Sequence, residues 1–274
     1  RRAIRRKEEV TTLLRDKNYR NLADKPNITV YTGTGSFAGP DEVDVTFTAD
    51  YPDRRDAGTD PGTAGSTNAT SGTATAKIPA GTAAGGYTKG EKLRLKADRI
   101  FINTGAETVI PPIAGVRESD RVYTSTSIME LEELPERFVI IGGGTIGTEL
   151  ALELAERGKA VTLIEMSDTL SAKGNKLYRI ALHQHLRRCS TLTCLLQSQV
   201  LEIKPDGVEV RTPQGIQQIP ADHILLAVGL RSRTEAAQQF YGITPNTVMI
   251  GDCKRVAKVI EATHDGYFAG TNIR

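Results

Sequence analysis

A glycine-rich turn, Gly142-Gly143-Gly144-Thr145-Ile146-Gly147, constrains this chain more than any other feature. It follows a run suited to a buried strand, Phe138-Val139-Ile140-Ile141, and it opens a helical run from Glu149 to Ala155. A second strand-like run, Val161-Thr162-Leu163-Ile164, ends at Glu165. Strand, glycine turn, helix, strand and a terminal acidic residue together make a dinucleotide-binding fingerprint in its required context. The spacing gives each glycine a task. Gly142 permits the tight turn, Gly144 leaves room for a pyrophosphate to reach the backbone, and Gly147 lets helix and strand pack closely. The first amides of the helix, at Thr145 and Ile146, then present the positive end of the helix dipole to phosphate. Ile146, Leu150 and Leu154 recur at helical spacing and are expected to face the sheet, with Gly158 ending the helix.

Glu165 can accept hydrogen bonds from the hydroxyls of an adenine ribose. Its charge would repel a ribose phosphate, and no arginine follows in Met166-Ser167-Asp168. The expected cofactor is therefore NAD in preference to NADP.

The turn lies near the middle of 274 residues, so much of the chain must be something other than a simple nucleotide module. A net charge of +2 leaves no footprint for nucleic acid. The basic start, Arg1 to Lys7, is followed at once by Glu8 and Glu9 and reads as a solvated helix end. No apolar run is long enough to span a bilayer, and no signal peptide is legible. Three cysteines suit a reducing compartment, so the expected location is cytoplasmic. The first residue is Arg, not Met, as in a fragment or a processed product.

Along the chain, residues 3–22 read as a helix with Ile4, Val10, Leu13 and Leu14 on or near one face. Residues 27–31 read as a short strand after Pro26, and Val43, Val45 and Phe47 alternate as in a half-buried strand. Residues 56–86 are dominated by small and polar residues, with Ile78 their one large aliphatic, and cannot bury enough surface to offset their ordering entropy. A loop over residues 49–90 is expected to join the Val43–Phe47 strand to a partner near Lys92–Lys96. Residues 99–103 form a further strand, and 176–188 a helix. Val200–Ile203 and Val208–Val210 form a hairpin turning at Asp206-Gly207. A buried strand over 223–229 and a last helix from about Val256 to Ala269 complete the reading.

The ordered motifs Ile102-Asn103-Thr104-Gly105-Ala106, Gly142–Gly147 with Glu149, Ala227-Val228-Gly229 and Ile250-Gly251-Asp252 resemble the pyridine nucleotide-disulfide oxidoreductase superfamily. These are two-dinucleotide flavoprotein reductases. Residues 5–150, with Lys17 to Asp24 and Leu131 to Ile146, look like mercuric reductases. Residues 174–270, with Gly174 to Arg179 and Gly251-Asp252-Cys253, look like enoate and dienoyl-CoA reductases. The resemblance implies an α/β fold in which a Rossmann-type NAD domain with a parallel sheet is inserted into an FAD-binding domain containing a β-meander. The expected boundaries are 1–125 for the first FAD part, 126–235 for the NAD domain and 236–274 for the return segment. It also implies that Asp252, after Gly251, binds the flavin ribityl hydroxyls. Thr104, Gly105 and Ala106 would pass the FAD, and Gly229 would border the nicotinamide nucleotide. Glu149 matches a helix glutamate that faces a lysine beside the flavin; a solvated helix residue is the other reading.

This sequence also departs from the family pattern. It holds no second glycine fingerprint for the FAD pyrophosphate, no redox cysteine pair following such a turn, and no partner lysine for Glu149. Thr145 replaces a common tyrosine, and Ser232-Arg233 replace an expected Pro-Asn. The FAD site is thus read as incomplete. Cys189 and Cys194 have the spacing of a redox pair but enter a strand, and they read as structural thiols, as does Cys253. His183 and His185, two apart on a helix, diverge and cannot share a metal. No catalytic acid, base or metal ligand is designated. Two functions stay open: an oxidoreductase passing hydride from NADH through a bound flavin to an acceptor, or an NAD-binding module without reductase activity.

Overall fold

The computed structural model describes residues 2–49, 87–172, 174–243 and 247–273. They form two compact units, one of Arg1–Leu13 with Glu107–Arg231, the other of Leu14–Ala106 with Ser232–Arg274. The stretch expected as a loop over residues 49–90 lies, from 50 to 86, outside the described residues.

The first unit is built on a five-stranded parallel sheet. Its strands run in the order Val122–Thr124, His223–Leu226, Arg137–Ile141, Ala160–Ile164 and Leu192–Leu195. The inner strands are continuous apolar runs because both faces are covered. Successive side chains point to opposite faces, so Phe138 and Ile140 join a core with Leu154, Ala155, Leu163 and Leu182 under the helices Thr145–Glu156 and Lys176–Leu186. Val139 and Ile141 join a second core with Val200, Ile203, Val208 and Val210. That second core lies under an antiparallel meander, Gln199–Lys204, Gly207–Thr212 and Gly215–Pro220.

At the amino ends of two neighbouring strands, Asp222 accepts from the Arg137 guanidinium at 2.5 Å and from the Arg137 amide at 2.9 Å. Both side chains are partly exposed, so this pair contributes little stability, but it marks the register in which His223 opposes Phe138.

In the second unit, strands Gly33–Gly39, Glu42–Phe47 and Lys92–Lys96 form another antiparallel meander. Phe47 is buried beneath it, stacked on Tyr87 with ring centroids 4.5 Å apart. Two short parallel strands, Ile100–Ile102 and Thr247–Met249, pair beside a small core of Ile102, Ala237 and Cys253.

Several expectations change. Residues 27–31 form no strand; the amide of Ile28 turns back to the Lys25 carbonyl at 3.1 Å, and the strand begins at Gly33. The N-terminal helix spans Arg2–Ala23, but Val10, Leu13 and Leu14 are exposed. The meander hairpin turns at Pro205-Asp206, because Gly207 is already paired with Lys204. The last helix begins at Val259 and ends at Thr271. On the fingerprint helix, Leu154 is buried as expected, whereas Ile146 is 58% exposed. The helix closes on the sheet through Gly147, Thr148, Ala151, Leu154 and Ala155, which turns Ile146 outward.

This rotation of the helix is measurable. Leu154→Ala is expected to cost about 2–5 kcal/mol by leaving a cavity beside the sheet. Ile146→Ala should stay within about 0.5 kcal/mol, as for an exposed site. Chemical denaturation midpoints compare the two; equal losses would show that Ile146 is in the core.

Candidate functional site

The glycine turn sits at the carboxyl ends of the parallel strands, where open α/β sheets place their ligands. Gly142 has φ +109°, a left-handed conformation that favours glycine, and a Cβ there would lie 2.6 Å from the Ala227 carbonyl oxygen. Gly147 lies directly over the turn: its Cβ would come within 2.0 Å of the Gly142 oxygen and 2.9 Å of the Ala227 Cβ. Gly144 differs from both. It is the N-cap residue, and a Cβ there would meet nothing within 4 Å, so open space lies above the first helical turn. The leading N–H groups of the helix have no intrahelical acceptor and point into that end of the fold.

Two contacts hold the turn that the sequence motif does not announce. The buried hydroxyl of Thr148 reaches the carbonyls of Gly144 at 2.8 Å and Gly143 at 3.1 Å. The Gly143 amide donates to Glu165 Oε2 at 2.5 Å, and the Ser167 amide donates to Oε1 at 2.8 Å. Partial burial pushes the Glu165 carboxyl upward. The backbone amides of Ser167 and Gly143, aided by the Ser167 hydroxyl and the Met166 amide, outweigh that and hold it below the ordinary carboxylate range. Glu165 is therefore ionised at neutral pH. The Gly143 and Ser167 amides thus take one carboxylate oxygen each, Oε2 and Oε1.

These elements border one cavity of about 760 Å³ within the first unit. Of the residues singled out in the sequence, Gly142, Gly144, Thr145, Glu165 and Gly229 line it. Ile146 and Gly147 do not; Gly147 is buried behind the turn, and the Ile146 side chain points outward. Gly229 has φ +99°, and its carbonyl accepts from the Val109 amide at 3.0 Å. Other lining residues were not legible in the motif. Pro111, Pro112 and Ile113 come from the segment that enters the unit, Val200 from the meander, and Ser171 from the stretch after the second strand. None of the described residues lining the cavity is Lys or Arg.

The remaining site residues lie in the second unit. Thr104, Gly105 and Ala106 follow the strand Ile100–Ile102, and Gly251 and Asp252 follow its parallel neighbour Thr247–Met249. Both loops thus leave the carboxyl ends of adjacent strands. The Ile250 amide donates to the Ile102 carbonyl at 3.0 Å. Gly251 has φ +66°, with space for a Cβ closed by Asn103 Oδ1 at 2.9 Å. One Asp252 oxygen accepts from the Ala257 amide at 3.3 Å. This pair of loops fits part of a cofactor cradle, although the sequence holds one glycine fingerprint and it belongs to the other unit.

The remaining candidates behave as packing or surface groups. Cys189, Cys194 and Cys253 are free thiols, and Cys253 is fully buried with Sγ near the Ile102 and Ile250 carbonyls. His183 contacts the Leu170 carbonyl at 3.2 Å, while His185 lies 3.8 Å from Glu156. No metal-ligating cluster occurs among the described residues. Glu149 accepts a hydrogen bond from the Tyr178 hydroxyl, which raises the tyrosine pKa. No helix among the described residues is long and apolar enough to cross a membrane.

Known proteins share this arrangement. The protein named probable pyridine nucleotide-disulfide oxidoreductase RclA of Escherichia coli (strain K12) is 30% identical over 233 residues, 85% of this chain and 43% of that protein. A bilirubin reductase of Mediterraneibacter gnavus is 32% identical over 174 residues, 63% of this chain and 27% of the relative. The chain thus spans less than half the length of these curated relatives. The solved structure of the HOCl-induced flavoprotein disulfide reductase RclA from Escherichia coli aligns with 99% of this chain and 57% of its own, at 25% identity and a TM-score of 0.71. The profile of the pyridine nucleotide-disulphide oxidoreductase family matches residues 3–254, and the chain belongs to that family.

Proposed function

We propose that this chain forms the nicotinamide-dinucleotide part of an FAD-dependent oxidoreductase, taking NADH at the glycine turn so that its hydride can pass to a flavin and on to an acceptor. The observation that carries the reading is the open space over Gly144 at a helix N-terminus, beside an ionised Glu165 pinned to the same turn. Family membership supports the flavin as the second cofactor.

The residues would divide the work as follows. The amides of Gly144, Thr145 and Ile146 bind the pyrophosphate, favoured by the positive end of the helix. Gly142 and Gly147 shape the turn without touching the ligand. Glu165 accepts from the adenine ribose hydroxyls, and with no cation among the described lining residues a ribose phosphate is disfavoured. This makes NAD the preferred dinucleotide. Gly229, also on the cavity wall, borders the nicotinamide half. Thr104, Gly105, Ala106, Gly251 and Asp252 would hold part of the flavin, with Asp252 accepting from ribityl hydroxyls. When bound, the flavin supplies a ring that accepts hydride and hands electrons onward. The protein's contribution is to position the donor and keep the pyrophosphate neutralised.

Three outcomes are expected. Gly144→Val should weaken NADH binding more than tenfold, because the new side chain fills the pyrophosphate space, while shifting stability by less than about 1 kcal/mol. Fluorescence titration and thermal melts check both; unchanged affinity would remove the pyrophosphate from this turn. Glu165→Arg should raise the ratio of NADPH to NADH affinity at least about tenfold, by removing a like charge and adding a cation. Unchanged selectivity would show that the ribose lies elsewhere. Finally, the chain supplied with FAD should show bleaching of the flavin absorbance on anaerobic addition of NADH. Binding of NADH without bleaching would overturn hydride transfer while leaving the dinucleotide site intact.

A further inference from the structure

Ser171 combines three unusual properties. It is 1% exposed, and its hydroxyl oxygen is the one buried side-chain polar atom without a hydrogen-bond partner among the described residues. A buried hydroxyl left unpaired is costly enough that native structures rarely keep one without a reason. Its φ is +52°, a left-handed conformation that serine seldom adopts. It also lines the 760 Å³ cavity.

The backbone around Ser171 is tied to the glycine turn. Its amide donates to the Gly143 carbonyl at 2.7 Å, and its own carbonyl accepts from the Gly174 amide at 2.8 Å. Gly174 lies close enough to the turn that a Cβ there would be 3.6 Å from Thr145 Oγ1. The segment is thereby clamped across the start of the fingerprint helix, and the strained residue forms part of the cavity wall. Strain of this kind persists where the surroundings over-determine it, often at ligand clamps.

Two independent features therefore border the same cavity: a helix N-terminus whose leading amides have no intrahelical acceptor, and a residue whose buried hydroxyl lacks a partner. A hydroxyl donates one hydrogen bond, and an anionic oxygen is the acceptor that suits the positive end of a helix. We infer that Ser171 is a ligand residue of the dinucleotide site, donating its hydroxyl proton to a pyrophosphate oxygen once the cofactor is seated on the glycine turn. The inference rests on the reading of that turn as the dinucleotide site. It adds a side-chain donor to the pyrophosphate-binding part of the site, which is otherwise made of backbone amides.

The test uses the full chain and the variants Ser171→Ala and Ser171→Gly. Each is titrated with NADH, and with adenosine, which lacks the pyrophosphate, in competition against NADH. Both variants should bind NADH about ten- to a hundredfold more weakly, the range for a lost hydrogen bond to a charged group. Adenosine affinity should not change. Unliganded melting temperatures should equal or exceed that of the parent, because an unpaired hydroxyl is removed and glycine also relieves the backbone. If alanine prevents folding, the glycine variant carries the comparison. NADH affinity within twofold of the parent in a folded variant would overturn the Ser171 assignment, while the dinucleotide reading would stand on the loss in Gly144→Val. A parallel fall in adenosine affinity would overturn the pyrophosphate contact. An unaltered chain that binds no NADH would overturn the dinucleotide reading and this inference with it.

Discussion

The contact between Gly147 and the turn beneath it is the constraint from which the rest of the site follows. A Cβ on Gly147 would sit 2.0 Å from the Gly142 oxygen, so helix and strand meet there with backbone against backbone. This approach aims the helix N-terminus at the carboxyl ends of the strands and sets which helical face is buried. Thr148, Ala151, Leu154 and Ala155 follow onto the sheet, and Ile146 is turned to solvent. The same contact leaves Gly144 at the edge of open space. Close packing on one side of the turn and vacancy on the other are two consequences of one geometry.

Glu165 adds the second restraint. Its carboxylate takes an amide from the turn and another from its own strand end, so the acidic residue and the glycine loop are positioned as a unit. The contacts of Gly143 explain why a fourth glycine stands in the turn. A Cβ there would meet Leu170 Cδ2 at 2.4 Å and the Glu165 Cβ at 2.9 Å, and its amide supplies the bond to Glu165. The ionised state of Glu165 is thus a product of backbone geometry, which overcomes the effect of its partial burial.

The cavity also depends on both faces of the parallel sheet being covered. One face carries the fingerprint helix and its neighbour; the other carries the antiparallel meander. Val200 on the meander reaches the cavity because the meander packs over Val139 and Ile141, residues of the strand that feeds the turn. One apolar strand therefore organises two layers, and the cavity forms where both meet its carboxyl end.

The local part of this was legible in the residues. A continuous apolar run, glycines at fixed offsets, a helical run and an acidic residue at the next strand end specify a strand–turn–helix–strand unit, because each is a short-range steric or hydrogen-bonding requirement. Fold class and family followed from the order of such units along the chain. Tertiary structure decided the rest. Residues 27–31 have the β-branched composition of a strand, yet the chain turns there, and the glycine-containing segment Gly33–Gly39 pairs instead. Apolar spacing could not say that Ile146 faces out, since that depends on how closely Gly147 approaches the sheet. Thr148, Ser171 and Pro111 gained their places from contacts with backbone carbonyls and layers that the sequence does not bring together by proximity. A motif encodes what a turn can hold; the packing of distant segments around it decides which side chains surround the ligand, because those contacts exist only once the layers have closed.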